Sequence, residues 1–223
     1  MPLLTTAFRL GARLRGARAF HPHGVVLDAV WRPSDAGREI LVGAPLLERD
    51  RPALVRFSHG IGLPAGAPDL LGVALKVPDV HGDGRDQDLL FTSTGRGRIG
   101  RRLLRPSRML SGGVFSTLLP YDIAGAGRHP LVAVASATPT VSYHEVSEGA
   151  APPRFEVRVG GAGETLLGTV DVEGNARPGD DGTLAFDPWH TGPNLRPAGW
   201  INRLRRPTYG ASRAGRADRR RER

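Results

Sequence analysis

Short runs of β-branched and aliphatic residues, each closed off by Gly, Pro or Asp, recur along the middle of this chain and restrict it to sheet-rich folds. Val25–Trp31, Ala53–Ser58, Gly72–Val77, Asp88–Ser93, Leu131–Ser136, Phe155–Val159 and Thr165–Val172 read as strands. Asp83-Gly84 falls between two of them and is a hairpin signal. Helical signals lie elsewhere: over 1–17, over a polar stretch from Ile99 to Leu110, and from Arg196 to about Arg216, where Pro207 should bend the helix. This arrangement predicts an α+β fold built on a closed antiparallel barrel rather than a doubly wound parallel sheet.

With 223 residues, the chain can form one domain with a sizeable core. The expected division is an N-terminal helix over 1–17, a barrel over 18–190, a final helix over 191–217, and a basic disordered tail over 218–223. The chain has no cysteine, which excludes disulfides, zinc–thiolate sites, iron–sulfur clusters and cysteine nucleophiles. Arg9, Arg13 and Arg15 interrupt the apolar spacing of the first residues, so these lack the continuous apolar region of a signal peptide. No run is long enough to span a membrane as a helix. A cytoplasmic location with no membrane partner is therefore expected.

The net charge of +9 is unevenly placed. From Arg196 to Arg223 there are ten arginines against Asp218 and Glu222, a local +8 that leaves about +1 for everything before. A basic end suits acidic partners, including nucleic acid. However, Arg219–Arg223 has no aromatic residue on which a base could stack, so a solvated end without specific nucleic-acid binding is expected.

Within this basic segment, Arg205-x-x-x-Tyr209 puts an always-charged guanidinium one helical turn before a tyrosine on the same face. Such a neighbour favours the phenolate over the phenol, and a phenolate is an anionic ligand for iron(III). The spacing alone equally fits a tyrosine packing its ring while arginines face water.

Other pieces of the chain agree with the iron reading. Arg18-Ala19-Phe20-His21-Pro22-His23-Gly24 leads into the first strand, Val55-Arg56-Phe57-Ser58 lies on a later one, and Asp69-x-x-Gly72-x-Ala74-x-Lys76 and Asp88-Leu89-Leu90 follow. In this order they resemble the monofunctional haem catalases, where Arg-x-x-His-Ala-x-Gly, Val-Arg-Phe-Ser and Asp-Leu occur in sequence. Phe186-Asp187-Pro188-Trp189-His190, followed by Arg196-Pro197-Ala198-Gly199-Trp200 and Asn202-Arg203-Leu204-Arg205, is similar to the compact branch of that superfamily. This branch includes small bacterial haem peroxidases and the haem domain of coral allene oxide synthase. The likeness runs from Arg18 to Arg216, with the connecting loops unmatched.

The resemblance implies a barrel of the catalase type, a haem b cofactor and peroxide chemistry. His21 would be the distal acid–base group, with Ser58 fixing its tautomer. Tyr209 would be the axial iron ligand, with Arg205 bonded to its phenolate oxygen. Arg18, Arg56 and Arg216 would hold the haem propionates. The implied partners are peroxide and a small-molecule reductant, with a homodimer left open. One departure matters: catalases carry an asparagine a few residues after the Asp-Leu pair, and the matching position here is Thr92. A hydroxyl offers one donor where the amide offers two. Peroxidation is therefore expected to exceed peroxide disproportionation.

Three rival readings come from other residues. Gly95-Arg96-Gly97-Arg98-Ile99-Gly100 fits a dinucleotide fingerprint, although no parallel βαβ pattern follows it. His21, His23, His59, Asp79 and His81 could supply a metal-dependent hydrolase such as a phosphodiesterase, although no pair has a diagnostic helical spacing. A non-enzymatic haem carrier or sensor of the same fold would need Tyr209 and Arg205 but not His21.

Overall fold

The computed structural model describes residues 24–64, 66–160, 164–177 and 184–199. In chain order the strands are β1 (Gly24–Pro33), β2 (Arg51–His59), β3 (Leu71–Val77), β4 (Gln87–Ser93), β5 (Val114–Ser116), β6 (Tyr121–Ile123), β7 (Gly127–His129), β8 (Leu131–Ala135), β9 (Phe155–Val159), β10 (Thr165–Ala176) and β11 (Leu195–Pro197). The helices are short: α1 (Asp35–Ile40), α2 (Gly97–Gly100) and α3 (Tyr143–Ser147).

Eight strands close a barrel in the order β1-β10-β9-β8-β5-β4-β3-β2, and every neighbouring pair is antiparallel. All seven strands expected from the sequence belong to it. The added member is β5, and β6 and β7, which lie between β5 and β8 in the chain, form a small separate sheet with β11 in the order β11-β6-β7. Alternation along the strands sends odd-numbered residues of β2, β3 and β4 inward. There Phe57, Leu75, Leu89, Phe115 and Phe155 are buried. The Phe155 ring centroid lies 5.6 Å from that of Phe57 and 6.0 Å from that of Phe115. Side chains thus fill the lumen, as an eight-stranded barrel allows. A large ligand must bind outside it.

Close backbone approaches seal the barrel at β10. A Cβ on Gly168 would stand 2.6 Å from the Trp31 ring and 2.5 Å from the Arg32 carbonyl. The indole therefore occupies the space a side chain would need, and its Nε1 donates to the Leu46 carbonyl at 2.7 Å. Ser34 caps α1 by accepting from the Gly37 amide at 3.0 Å, and Gly37 lets α1 lie against Leu167.

Two helical expectations fail among the described residues. Of the Ile99–Leu110 stretch only Ile99 and Gly100 are helical, as the end of the four-residue α2, and the rest folds back on the barrel. The Gly95 amide donates to the Gly100 and Leu103 carbonyls, the Arg105 amide donates to the Ser93 carbonyl, and Thr94 bridges Leu104. Glycines at 97 and 100 and a proline at 106 weaken the helix, while the end of β4 offers the backbone other partners. Arg196 does not begin a helix either: it sits in β11, opposite Asp122. The expected helix over 1–17, the rest of the final helix and the tail lie outside the described residues. The Asp83-Gly84 signal marks a longer connection than a tight hairpin, with Asp79, Gly82, Asp83 and Gly84 all at positive φ between β3 and β4.

Candidate functional site

Strand register brings three of the expected site residues to one outer face of the barrel. Gly24 pairs with Ser58, Ser58 with Gly72, Gly72 with Thr92 and Thr92 with Ser116, so these residues form one row across β1–β5. Directly paired residues project to the same face, and Phe57 points into the lumen, so the row faces outward. Strands about 4.8 Å apart put Ser58 and Thr92 about 10 Å from each other across Gly72. Gly24 and Gly72 flank Ser58 without side chains of their own. Arg56 lies two residues back on β2, in the next outward row with Val26 and Ala74. A Cβ on Gly24 would meet the Arg56 guanidinium at 2.8 Å, so that glycine gives the arginine its place.

Ser58 is buried, whereas Arg56 and Thr92 are half-buried. Beside Thr92, Ser93 turns the other way, donates to the Arg105 carbonyl at 2.7 Å and accepts from the Leu71 amide at 3.0 Å. A cavity of about 300 Å³ opens there, lined by Ser93, Arg96, Arg105, Met109 and Phe115 among others. His21, Arg18, Arg205, Tyr209 and Arg216 lie outside the described residues, as does His23.

About four residues along the same face, a polar network joins distant parts of the chain. Lys76 and Asp88 are direct partners on β3 and β4. The Lys76 ammonium donates to both Asp88 oxygens, at 2.7 and 2.9 Å, and to Asp86 at 2.9 Å. Asp88 also accepts from the Asp187 amide at 2.8 Å, lies 3.2 Å from His190 Nδ1, and donates its own amide to the His190 carbonyl. Lys76 further stands 5.5 Å above the Phe186 ring. This network docks the 186–190 segment on the face that carries Ser58 and Thr92. The sequence marked Lys76, Asp88 and Phe186–His190 as separate pieces, but only the fold joins residues about a hundred positions apart. Burial raises the Asp86 pKa, yet the bonds from Lys76 and the Asp79 amide outweigh it and hold the carboxyl below its ordinary value.

Asp86, Asp88 and His190 have ligand atoms within 4.8 Å of one another. The Lys76 ammonium already occupies the centre of their charge. His59, Asp79 and His81, proposed for a hydrolase, do not meet there. His59 stacks on Tyr143 at 4.0 Å, Asp79 accepts from the Gly84 amide, and His81 bonds Gln87. Burial pushes both histidines below their ordinary pKa. The dinucleotide reading also fails on geometry: β4, which leads into Gly95–Gly100, pairs antiparallel with both neighbours, and α2 has four residues.

At the far end of β2, Asp69 accepts from the amides of Ile61, Gly62, Leu63 and Leu70 at 2.6–3.0 Å. Burial raises its pKa, but the four amides more than offset this and the carboxyl stays below its ordinary value. This carboxylate ties the β2–β3 loop in place. Its role is structural.

No protein-family model and no curated protein matches the chain. Solved structures do. A fungal catalase aligns with a TM-score of 0.57 and 11% identity over 88% of this chain and 58% of its own. A bacterial catalase aligns with a TM-score of 0.57 and 12% identity over 96% of this chain and 60% of its own. The barrel has the catalase fold. The chain spans about three-fifths of the length of these catalases.

Proposed function

We propose that the chain is a haem-dependent peroxidase with weak catalase activity, acting on hydrogen peroxide or organic hydroperoxides. The observation that carries this reading is the Ser58–Gly72–Thr92 row on the outer face of a catalase-fold barrel. Its chemistry fits the cofactor. Gly72 sets no side chain between the Ser58 and Thr92 hydroxyls, and Arg56, packed over Gly24, supplies a fork of donors suited to a propionate. A filled lumen leaves the outer face as the place for such a group.

Haem iron, when bound, supplies the redox chemistry of peroxide cleavage and donor oxidation. The chain supplies orientation and proton transfer. His21 would hold a proton taken from the peroxide and return it to the departing oxygen, so that water or an alcohol could leave. Three residues of chain separate His21 from Gly24, at most about 11 Å fully extended, and Gly24 is the direct partner of Ser58. The Ser58 hydroxyl then fixes the imidazole tautomer. Thr92 offers a single donor to the bound peroxide. Tyr209 would hold the iron, Arg205 would keep it a phenolate, and Arg18 and Arg216 would join Arg56 in holding the propionates.

The test is donor oxidation by haem-loaded protein. His21→Ala should keep its haem content and slow peroxide-driven oxidation by at least roughly a hundredfold. Equal rates in wild type and variant would refute the enzyme reading and favour a carrier. His23→Ala, on the other side of Pro22, should behave like wild type.

A further inference from the structure

We propose that the segment from Arg96 to Arg108 docks on an anionic lipid surface. No acidic residue occurs between Asp88 and Asp122, while this segment carries Arg96, Arg98, Arg101, Arg102, Arg105 and Arg108. Arg101 is paired with Glu164; the other five arginines are exposed. Among them stand Ile99, Leu103 and Leu104, which are 78%, 61% and 42% exposed. They are half of the six large hydrophobic side chains exposed among the described residues, and they fall within six positions of one another. Single exposed aliphatics need no explanation, but a cluster ringed by one sign of charge marks an interaction surface.

The surface is built rather than loose. Backbone bonds from Gly95 to Leu103, from Arg105 to Ser93 and from Ser107 to Asp69 pin it to the barrel, and Ser116 Oγ donates to the Arg101 carbonyl at 2.7 Å. Five exposed guanidiniums, of which Arg96 also donates to the Gly112 carbonyl at 2.6 Å, favour an anionic partner. A second copy of the same surface would set like charges against each other. Nucleic acid would meet the charge, but 96–108 has no Phe, Tyr or Trp on which bases could stack, and the aliphatic side chains would stay in water. A bilayer containing anionic lipid meets both needs. Its phosphates pair with arginines, and its acyl boundary receives Ile99, Leu103 and Leu104. No helix among the described residues is long and apolar enough to cross a membrane, so the contact is peripheral.

The experiment is cosedimentation of the full chain with vesicles of phosphatidylcholine and phosphatidylserine in equal parts, and with phosphatidylcholine alone. Wild type should pellet with the mixed vesicles, and added salt should weaken this binding. The triple variant Ile99→Ser, Leu103→Ser, Leu104→Ser keeps every charge, including the arginines of 203–223, and should bind at least roughly tenfold more weakly. Equal binding by the variant would show that Ile99, Leu103 and Leu104 do not enter the bilayer and would overturn the proposal. So would preference for a single-stranded oligonucleotide over the vesicles. A second reading does not depend on loss of binding: Leu103→Trp should show a blue-shifted emission when mixed vesicles are added, and unchanged emission would also overturn the proposal.

Discussion

Thr92 is the residue on which the proposed chemistry turns. From its place in the Ser58 row it would be a donor for the second peroxide of a disproportionation cycle, and one hydroxyl would position that molecule less well than an amide. Thr92→Asn should therefore raise oxygen evolution, measured at an electrode, while donor oxidation and haem content stay near wild type. If neither activity changes, Thr92 does not touch peroxide. Asp69 makes a prediction of the opposite kind, about stability. Its folded pKa lies below the ordinary value of 3.8 because four amides stabilise the anion despite burial. A lowered folded pKa contributes stability above the unfolded value, and this is lost as pH falls through the folded one. Asp69→Asn should cost at least about 2 kcal/mol at neutral pH. The gap from wild type should shrink below about pH 4. Denaturant titrations across that range check it, and a gap that stays constant down to about pH 2 would contradict the assignment.

At the scale of elements, the Lys76–Asp88–His190 network joins β3 and β4 to the 186–190 segment. Lys76→Met would leave a buried carboxylate without its cation, which costs about 3–5 kcal/mol. Thermal unfolding should show that loss, whereas the surface change Arg128→Gln should leave the midpoint nearly unmoved. The elements themselves were unevenly legible. Seven barrel strands could be read because each combines inward apolar residues with a Gly, Pro or Asp boundary. β5 could not, since three residues after Gly112-Gly113 carry too little periodicity. Ile99, Leu103 and Leu104 imitate a helical stripe, but they face solvent and have no surface to pack against. Of the candidate site, the ordered motifs marked Arg56, Ser58 and Thr92, which the strand register brings to one outer face. The tie from Asp88 to Asp187 and His190 was hidden because it spans the chain and has no local pattern.

For the whole molecule, a barrel packed by Phe57, Phe115 and Phe155 acts as a rigid wall, and the proposed function uses its outside. The Ser58–Thr92 row and the basic surface from Arg96 to Arg108 are presented by adjacent parts of that wall. A chain about three-fifths as long as the catalases it aligns with keeps the wall itself, and the central claim is that this wall and Tyr209 together suffice to hold haem. The most direct measurement is a haem titration followed by visible absorption, in wild type and in Tyr209→Phe. Wild type should saturate at about one haem per chain with the spectrum of a high-spin ferric tyrosinate, and the variant should lose the haem or change ligand. Failure of the wild type to take up haem, or the same stoichiometry and spectrum in Tyr209→Phe, would contradict the account.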